Sequence, residues 1–394
     1  MIQGKVILER PERFAGTYEI PKEKLTKAIE KATDKLESQL PMFGDQFGPC
    51  WSVDYKYPMK PNNNWVCGMF TGEFLLAYEL TGNKKFKEVA EKQVAPYRTR
   101  IDNKIGVDDH DVGFAFSPSC VGAYKLFGDE KARQTALDAA AYYYQTSYSK
   151  KGRFIMRCWK SGESGCRTMM DTLMNIPLLF WAGQETGNSD YTEAAIAQYQ
   201  TTAQYLIRED GSSFHHFQFD PVTHGPVRGL TFQGYADDSC WSRGHSWGIY
   251  GFPMAYSYCK DESLVDLHEG ITNYMLNHLP EDLIPYWDYT FMEGDEPRDS
   301  SAGVVNICGM KEMCRYLPDS APQKQIFETA AAKMLEATID LCTGDIGREY
   351  DGLINRVTAA KPQGLGIDEC GIYGDYHYLE ALCRFVKPDW VRYW

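Results

Sequence analysis

The sequence predicts an all-helical fold, an (α/α)6 barrel formed as one domain over residues 1–394, and three observations predict it. Runs that are apolar almost all round recur along the chain. Each ends in a short stop of Gly or a polar substitute. Each stop is followed by an amphipathic helix. A helix that is apolar all round must be covered on every side, whereas an amphipathic helix buries a single stripe. Six of the first kind ringed by six of the second satisfy both requirements.

The first amphipathic helix, Lys22 to Leu40, carries Leu25, Ile29, Ala32 and Leu36 on one stripe. Clear apolar runs are Val66 to Leu80, Val112 to Phe127, Thr172 to Ala182 and Trp247 to Tyr258. The inner helices start near 66, 111, 171, 245, 300 and 371, and the amphipathic partners near 22, 84, 130, 190, 262 and 321. The stops are Gly82-Asn83, Gly128-Asp129, Gly187-Asn188, Lys260-Asp261 and Pro318-Asp319, each a helix end followed by a polar helix start. Pro118, Pro177 and Pro253 fall six to eight residues after Asp111, Asp171 and His245. An interior proline costs a helix about 3 kcal/mol, so these helices either kink there or begin later. Insertions around 42–64, 149–170 and 208–244 are rich in Gly, Trp, His and Arg and read as loops walling a site. A short hairpin is expected within Phe214 to Phe232. An open superhelix of helix pairs is the alternative arrangement.

Composition narrows the function. A chain that is 43% hydrophobic and 24% charged can build a substantial core. The net charge of −13 argues against a nucleic-acid partner, which requires a basic footprint. No apolar stretch approaches the roughly 18 to 20 residues of a membrane span, so no membrane partner is expected. The start, MIQGKVILERPERF, lacks the apolar core and cleavage site of a signal peptide. The 12 cysteines form no CxxC pair and no zinc-spaced cluster. They read as buried free thiols, which implies a reducing, cytoplasmic setting, with a periplasmic one the alternative if a signal peptide has been removed. His215, His216 and His224 lack a helical metal-binding register, so no metal is expected. No GxSxG elbow, P-loop or GxGxxG opens a helix, and no cofactor is called for. A monomer or homodimer is expected.

Each inner helix is reached through an outer one, so the inner helices run the same way and their starts meet at one mouth. Gathered there are His110-Asp111, Asp171, Arg243, His245, Trp247, Ser300-Ser301 and the stretch Gly371 to Asp375. Asp111 and Asp171 are either helix caps or a carboxylate pair in which one member holds its proton near neutral pH. Arg243 lies in Trp241-Ser242-Arg243-Gly244-His245-Ser246-Trp247-Gly248. A guanidinium among Trp and Gly fits a forked clamp on a sugar carboxylate, or an ordinary salt bridge.

Four segments in this order resemble the unsaturated glucuronyl hydrolases of glycoside hydrolase family 88. They are Asp109-His110-Asp111-Val112-Gly113-Phe114, Met170-Asp171-Thr172-Leu173-Met174-Asn175, Trp241 to Phe252, and Gly374-Asp375-Tyr376-His377-Tyr378-Leu379-Glu380-Ala381-Leu382. The resemblance implies the same barrel, of the six-hairpin glycosidase type. It implies a substrate made by polysaccharide lyases, a glycosaminoglycan-type oligosaccharide ending in a C4=C5 unsaturated glucuronic acid. Protonation at C4, addition of water at C5 and opening of the hemiketal then release the uronate. It assigns Asp171 as general acid/base and Asp111 as the second essential carboxylate. It places His215, Gln233 and Arg243 against the uronate or its hydroxyls, and Trp65, Trp247 and Trp159 as aromatic walls.

The chain departs from members that act on sulfated disaccharides, which carry serines before the Gly-Asp-Tyr segment. Here the stretch is Asp368-Glu369-Cys370-Gly371-Ile372-Tyr373, with two acids that would repel sulfate. Three alternatives stand: a family 105 unsaturated rhamnogalacturonyl hydrolase, a sugar epimerase using histidine bases, and a glycan-binding protein in which both aspartates are only caps.

Overall fold

Gly82 and Gly187 end their helices in the left-handed region, each with φ 71°, where a side chain would be strained. The next residues, Asn83 and Asn188, each accept a hydrogen bond from the backbone N–H two positions on and so begin the following helix. Gly128 and Asp129 repeat the device, with Asp129 accepting from both Lys131 and Ala132. Lys260 takes the left-handed position without being glycine, at φ 54°. Each such turn stops one helix and starts its antiparallel neighbour within a few residues.

The structure, a computed structural model, describes residues 6–42, 46–158, 160 and 165–394. The buried segments are Cys67–Thr81, 112–127, 170–186, Ser242–Cys259, Ser300–Cys314 and Ile372–Val386. Each packs on the next, and the last packs on the first, which closes a ring. Every residue of Ser300–Cys314 except Lys311 is buried. Around the ring lie Lys84–Val94, Glu130–Ser147, Ser189–Tyr205, Ser263–Asn277 and Pro322–Cys342, each on the inner segment that precedes it. Lys22–Gln39 completes the outer layer by packing on the last and first inner helices. A short helix, Pro96–Asp102, is an addition that the stop signals do not announce. One continuous apolar core extends from Phe14 to Trp394. No helix of the described residues is long and apolar enough to cross a membrane.

The three prolines are accommodated in three ways. Pro118 lacks an N–H for the helical ladder, and the segment 112–127 passes it through a π-turn at Ser117–Val121. Pro177 opens the helix Pro177–Thr186, in the first-turn position where the missing N–H has no cost. Pro253 stays inside Ser242–Cys259. The third inner helix therefore begins later than 171, and Asp171 sits instead in a 3-10 turn, Met170–Met174. The expected hairpin forms between His216–Phe219 and Pro226–Leu230, and Arg167–Met169 adds a third antiparallel strand to it. This sheet joins the insertions at 149–170 and 208–244 beside the barrel mouth.

The opposite end is plugged by Trp394. Its side chain is 1% exposed, stacks on His377 with ring centroids 6.0 Å apart, and donates from Nε1 to Glu380 at 3.0 Å. Trp394→Ala removes that volume and a donor to a buried carboxylate. The expected outcome in urea unfolding is a loss of about 3–5 kcal/mol. A loss below about 1 kcal/mol would mean that this side chain does not close the base.

Candidate active site

The starts of the inner segments open on a cleft of about 700 Å³. Trp65, Asp111, Asp171, Arg243, Trp247 and Tyr373 line it from five segments of the ring, with Trp241, Phe232, Gln233 and Arg157 contributed by the insertions.

Asp111 occupies the N-cap position of Val112–Phe116, but its side chain makes no cap hydrogen bond. Nor is Asp171 a cap, since the 3-10 turn holds it. Both carboxylates turn instead to one side chain, His110. Its Nε2 lies 2.9 Å from Asp171 Oδ1 and 3.4 Å from Asp111 Oδ1, and its Nδ1 bonds Asp109. Burial pulls the imidazole pKa down, but the charges of Asp111, Asp109 and Asp171 outweigh it and hold the ring well above its usual value, as a cation. Burial also pushes the Asp111 carboxyl up to about 7. The His110 cation opposes that shift, while Asp109 and Asp171 reinforce it. Burial raises Asp109 too, but the His110 charge and hydrogen bonds win and leave it below the ordinary carboxylate range.

Two residues set the spacing of this cluster. A Cβ on Gly113 would come within 2.3 Å of the Asn175 carbonyl oxygen, so only glycine lets the second and third inner segments approach so closely. Asn175 then bridges them. Its Oδ1 accepts from Phe114 N–H at 2.7 Å, and its Nδ2 donates to the Asp171 carbonyl at 3.0 Å and lies 3.4 Å from Asp111 Oδ1.

His215 stands behind the wall, 3% exposed and packed on Trp241 with centroids 4.4 Å apart. The Phe232 N–H donates to its Nδ1 at 3.2 Å, which leaves the proton on Nε2, a buried donor with no partner among the described residues. Burial lowers its pKa well below the usual value, with His216, His110, Arg243 and Arg157 adding to the effect. The ring is therefore neutral, with its Nε2 proton buried. Met170 N–H donates to the His215 carbonyl at 2.9 Å, so the turn that carries Asp171 and the sheet that carries His215 move together.

Residues 46–302 match Glycosyl Hydrolase Family 88. The chain belongs to this family. It is 42% identical to the unsaturated chondroitin disaccharide hydrolase of Streptococcus pneumoniae (strain ATCC BAA-255 / R6), over 99% of each chain. The crystal structure of an unsaturated glucuronyl hydrolase from Streptococcus agalactiae superposes with a TM-score of 0.95 at 39% identity, covering 99% of this chain and 98% of that one. A mutant of that enzyme complexed with dGlcA-GalNAc6S superposes with a TM-score of 0.88 at 38% identity and the same coverage.

In this family 88 chain, Asp111, Asp171, Gln233, Arg243, Trp65 and Trp247 all line the cleft. Trp65 stacks on Tyr373 at 5.4 Å, and Trp247 meets Phe114 edge-on at 5.3 Å. Gln233 is anchored to the Ala359 carbonyl at 2.8 Å. Trp159 lies outside the described residues.

Arg243 corrects the simple clamp. It is 2% exposed, its Nη1 is paired with Asp299 and donates to the Thr358 carbonyl at 2.7 Å, and its Nη2 donates to the Ala359 carbonyl at 2.5 Å. The fork expected to face a substrate is largely committed within the wall. Other groups expected at the mouth are structural. His245 reaches the Ile271 carbonyl of an outer helix at 2.8 Å, and Ser300 and Ser301 bond Asn355 and Asp299. Asp375 accepts from Leu353, Ile354 and Tyr57. Glu369 caps the Asp54 and Tyr55 N–H groups, and neither it nor Asp368 lines the cleft.

Sequence reasoning placed His110, and Tyr373 within the stretch Gly371 to Asp375, at the mouth without giving either a role, and it gave none to Asn175 or Arg157. Their residue types carry no periodic signal, and only the position of His110 between two candidate acids hinted at its use. Asp109, His110 and Asp111 each offer a ligand atom within 4.8 Å of the others. With Nδ1 on Asp109 and Nε2 on Asp171 the imidazole uses both nitrogens as donors, so this arrangement holds a proton rather than offering a lone pair to a cation.

Asn175→Ala leaves the Phe114 N–H unpaired and frees the two aspartates to shift. Stability is expected to fall by about 1–3 kcal/mol. In steady-state kinetics kcat is expected to fall at least tenfold with little change in KM, and an unchanged kcat would remove Asn175 from the site's framework.

Proposed function

We propose that this chain hydrates the C4=C5 double bond of a terminal unsaturated glucuronic acid and so frees it from an oligosaccharide left by a polysaccharide lyase. The observation that carries the reading is the contact of one imidazolium nitrogen with the carboxylates of both Asp171 and Asp111 on the cleft wall. The names of the relatives support it. Asp171 acts as the general acid/base. It delivers a proton to C4, and the ring oxygen shares the positive charge that develops at C5. Water then bonds to C5 and returns its proton to Asp171, which ends the cycle as it began. The hemiketal opens, and the hemiacetal left at C1 expels the remaining sugar. One water is consumed, and no cofactor is required.

In this scheme His110 is a positioning residue. It orients Asp171 and, through Nε2, couples it to Asp111, whose carboxyl stores a proton up to about pH 7. Gln233 orients the sugar through its hydroxyls, His215 backs the wall behind Trp241, and Trp65 and Trp247 confine the sugar ring. All 12 cysteines are free thiols, which supports a reducing compartment and the cytoplasm as the setting.

Hydration destroys the conjugated alkene, so ultraviolet absorbance of an unsaturated disaccharide is expected to fall on mixing with the protein. An epimerase or a glycan-binding protein leaves that absorbance intact. A family 105 type of specificity appears as faster loss on unsaturated galacturonyl-rhamnose than on the glucuronyl disaccharide. Asp171→Asn is expected to slow the loss by at least about 100-fold, the equivalent of ~3 kcal/mol in the barrier. Wild-type turnover by this variant refutes the assignment.

The pH profile follows from Asp111. A carboxyl with a raised pKa is protonated below it, so activity that needs this proton is present below about pH 7 and lost above it. The kcat/KM is expected to fall about tenfold per pH unit above that point. The residual activity of Asp111→Asn is expected to lack this break. Persistence of the break in the variant assigns it to another group.

A further inference from the structure

Arg157 gives the cleft a cation that the hydration chemistry does not use. It lines the cleft beside Asp109 and Phe232, on the insertion whose backbone carbonyl accepts from His110 N–H at 2.9 Å. The two other cationic side chains on the cleft are committed. Arg243 is paired with Asp299 within the wall, and His110 is enclosed by three carboxylates. Among the described residues, the Arg157 guanidinium has no ion-pair partner. It lies 5.2 Å from the centroid of the Phe232 ring, a contact that consumes no N–H donor, and its charge reaches Asp109 and Asp111 without pairing to either. Arg167 approaches the same ring at 4.9 Å and adds positive potential there.

The depth of each group fixes which part of a substrate reaches Arg157. Arg243, Trp247 and Tyr373 form the floor and are 1–2% exposed. The neighbours of Arg157 belong to the rim: the Asp109 side chain is 42% exposed and Phe232 is 38% exposed. The unsaturated sugar must sit inward, against Asp171 and Asp111, because it is the sugar that reacts. The sugar bonded to its C1 then extends toward the rim. Asp368 and Glu369, which the sequence set against an anionic group on that sugar, do not line the cleft.

We propose that Arg157 is a specificity-determining residue that binds an oxyanion on the leaving sugar, a sulfate ester being the chemistry its fork fits best. This inference rests on the hydrolase reading above. Guanidinium N–H groups pair with two sulfate oxygens, and the half-buried position keeps the pairing from being fully screened. Selectivity comes from ground-state binding of the leaving sugar, because the oxyanion is remote from C4 and C5.

The test uses the full chain and three unsaturated chondroitin disaccharides: unsulfated, 4-sulfated and 6-sulfated. The kcat/KM of each is measured by loss of alkene absorbance for wild type, Arg157→Gln and Arg157→Lys. The wild type is expected to turn over at least one sulfated form, and the arm that responds identifies the sulfate position. Arg157→Gln is expected to lower the ratio of sulfated to unsulfated kcat/KM by about tenfold or more, mainly through KM. Arg157→Lys restores part of it as a point charge, and the difference from wild type shrinks as salt rises. A ratio unchanged by Arg157→Gln overturns the proposal. So does an equal loss on all three substrates, which places the uronate's own carboxylate at Arg157, and so does a wild type that rejects both sulfated forms. If the wild type leaves the absorbance of all three intact, the hydrolase reading itself fails and this inference falls with it.

Discussion

The His110 ring commits both nitrogens to carboxylates, Nδ1 to Asp109 and Nε2 to Asp171, with Asp111 a further 3.4 Å contact of Nε2. Three acids crowded into a partly buried wall repel one another, and each loses hydration. A single cation at their centre offsets both effects. It keeps Asp109 ionised, whereas burial leaves Asp111 holding a proton to about pH 7 against the pull of that cation. The protons of the site are therefore shared by a cluster rather than owned by one residue, and its titration belongs to the group. Moving any member by an ångström changes the proton inventory of the rest.

The barrel is built to prevent that movement. Gly113 lets two inner segments touch backbone to backbone, and Asn175 joins them with hydrogen bonds to Phe114 and Asp171. The 3-10 turn carrying Asp171 ends where Pro177 starts a helix, so the carboxylate lies ahead of the rigid helix but is tied to it. On its other side Met170 is bonded to His215 in the sheet. Asp171 is thus held between the ring and the insertions, and neither alone fixes it.

Much of the ring was legible in the sequence, because its signals are local. Apolar runs, Gly-Asn and Gly-Asp stops, and amphipathic partners each act within a few residues, and the cap geometry at Gly82-Asn83 and Gly187-Asn188 agrees with them. The convergence of Asp111 and Asp171 followed from the ring. What escaped depends on partners far apart in the chain. Nothing near Arg243 announces Asp299, and nothing near Asn175 announces the Phe114 amide 61 positions away. Pro118, Pro177 and Pro253 look alike in sequence, yet they become a π-turn, a helix start and a tolerated interior residue, because the packing around each differs. Glu369 read as a charge facing the substrate, but it satisfies backbone donors at Asp54 and Tyr55 in a distant loop.

Phe114 touches Trp65 and Trp247 on the cleft side and Trp394 on the other, with ring centroids 5.2, 5.3 and 5.9 Å away. Phe114 thus links the aromatic residues of the cleft directly to the plug at the base. Trimming that ring would deepen the cleft only as far as Trp394 and would strip a contact from the plug that closes the base. Descendants of this scaffold that accept other glycans are therefore expected to differ in their surface loops, while the axial aromatic stack stays the same.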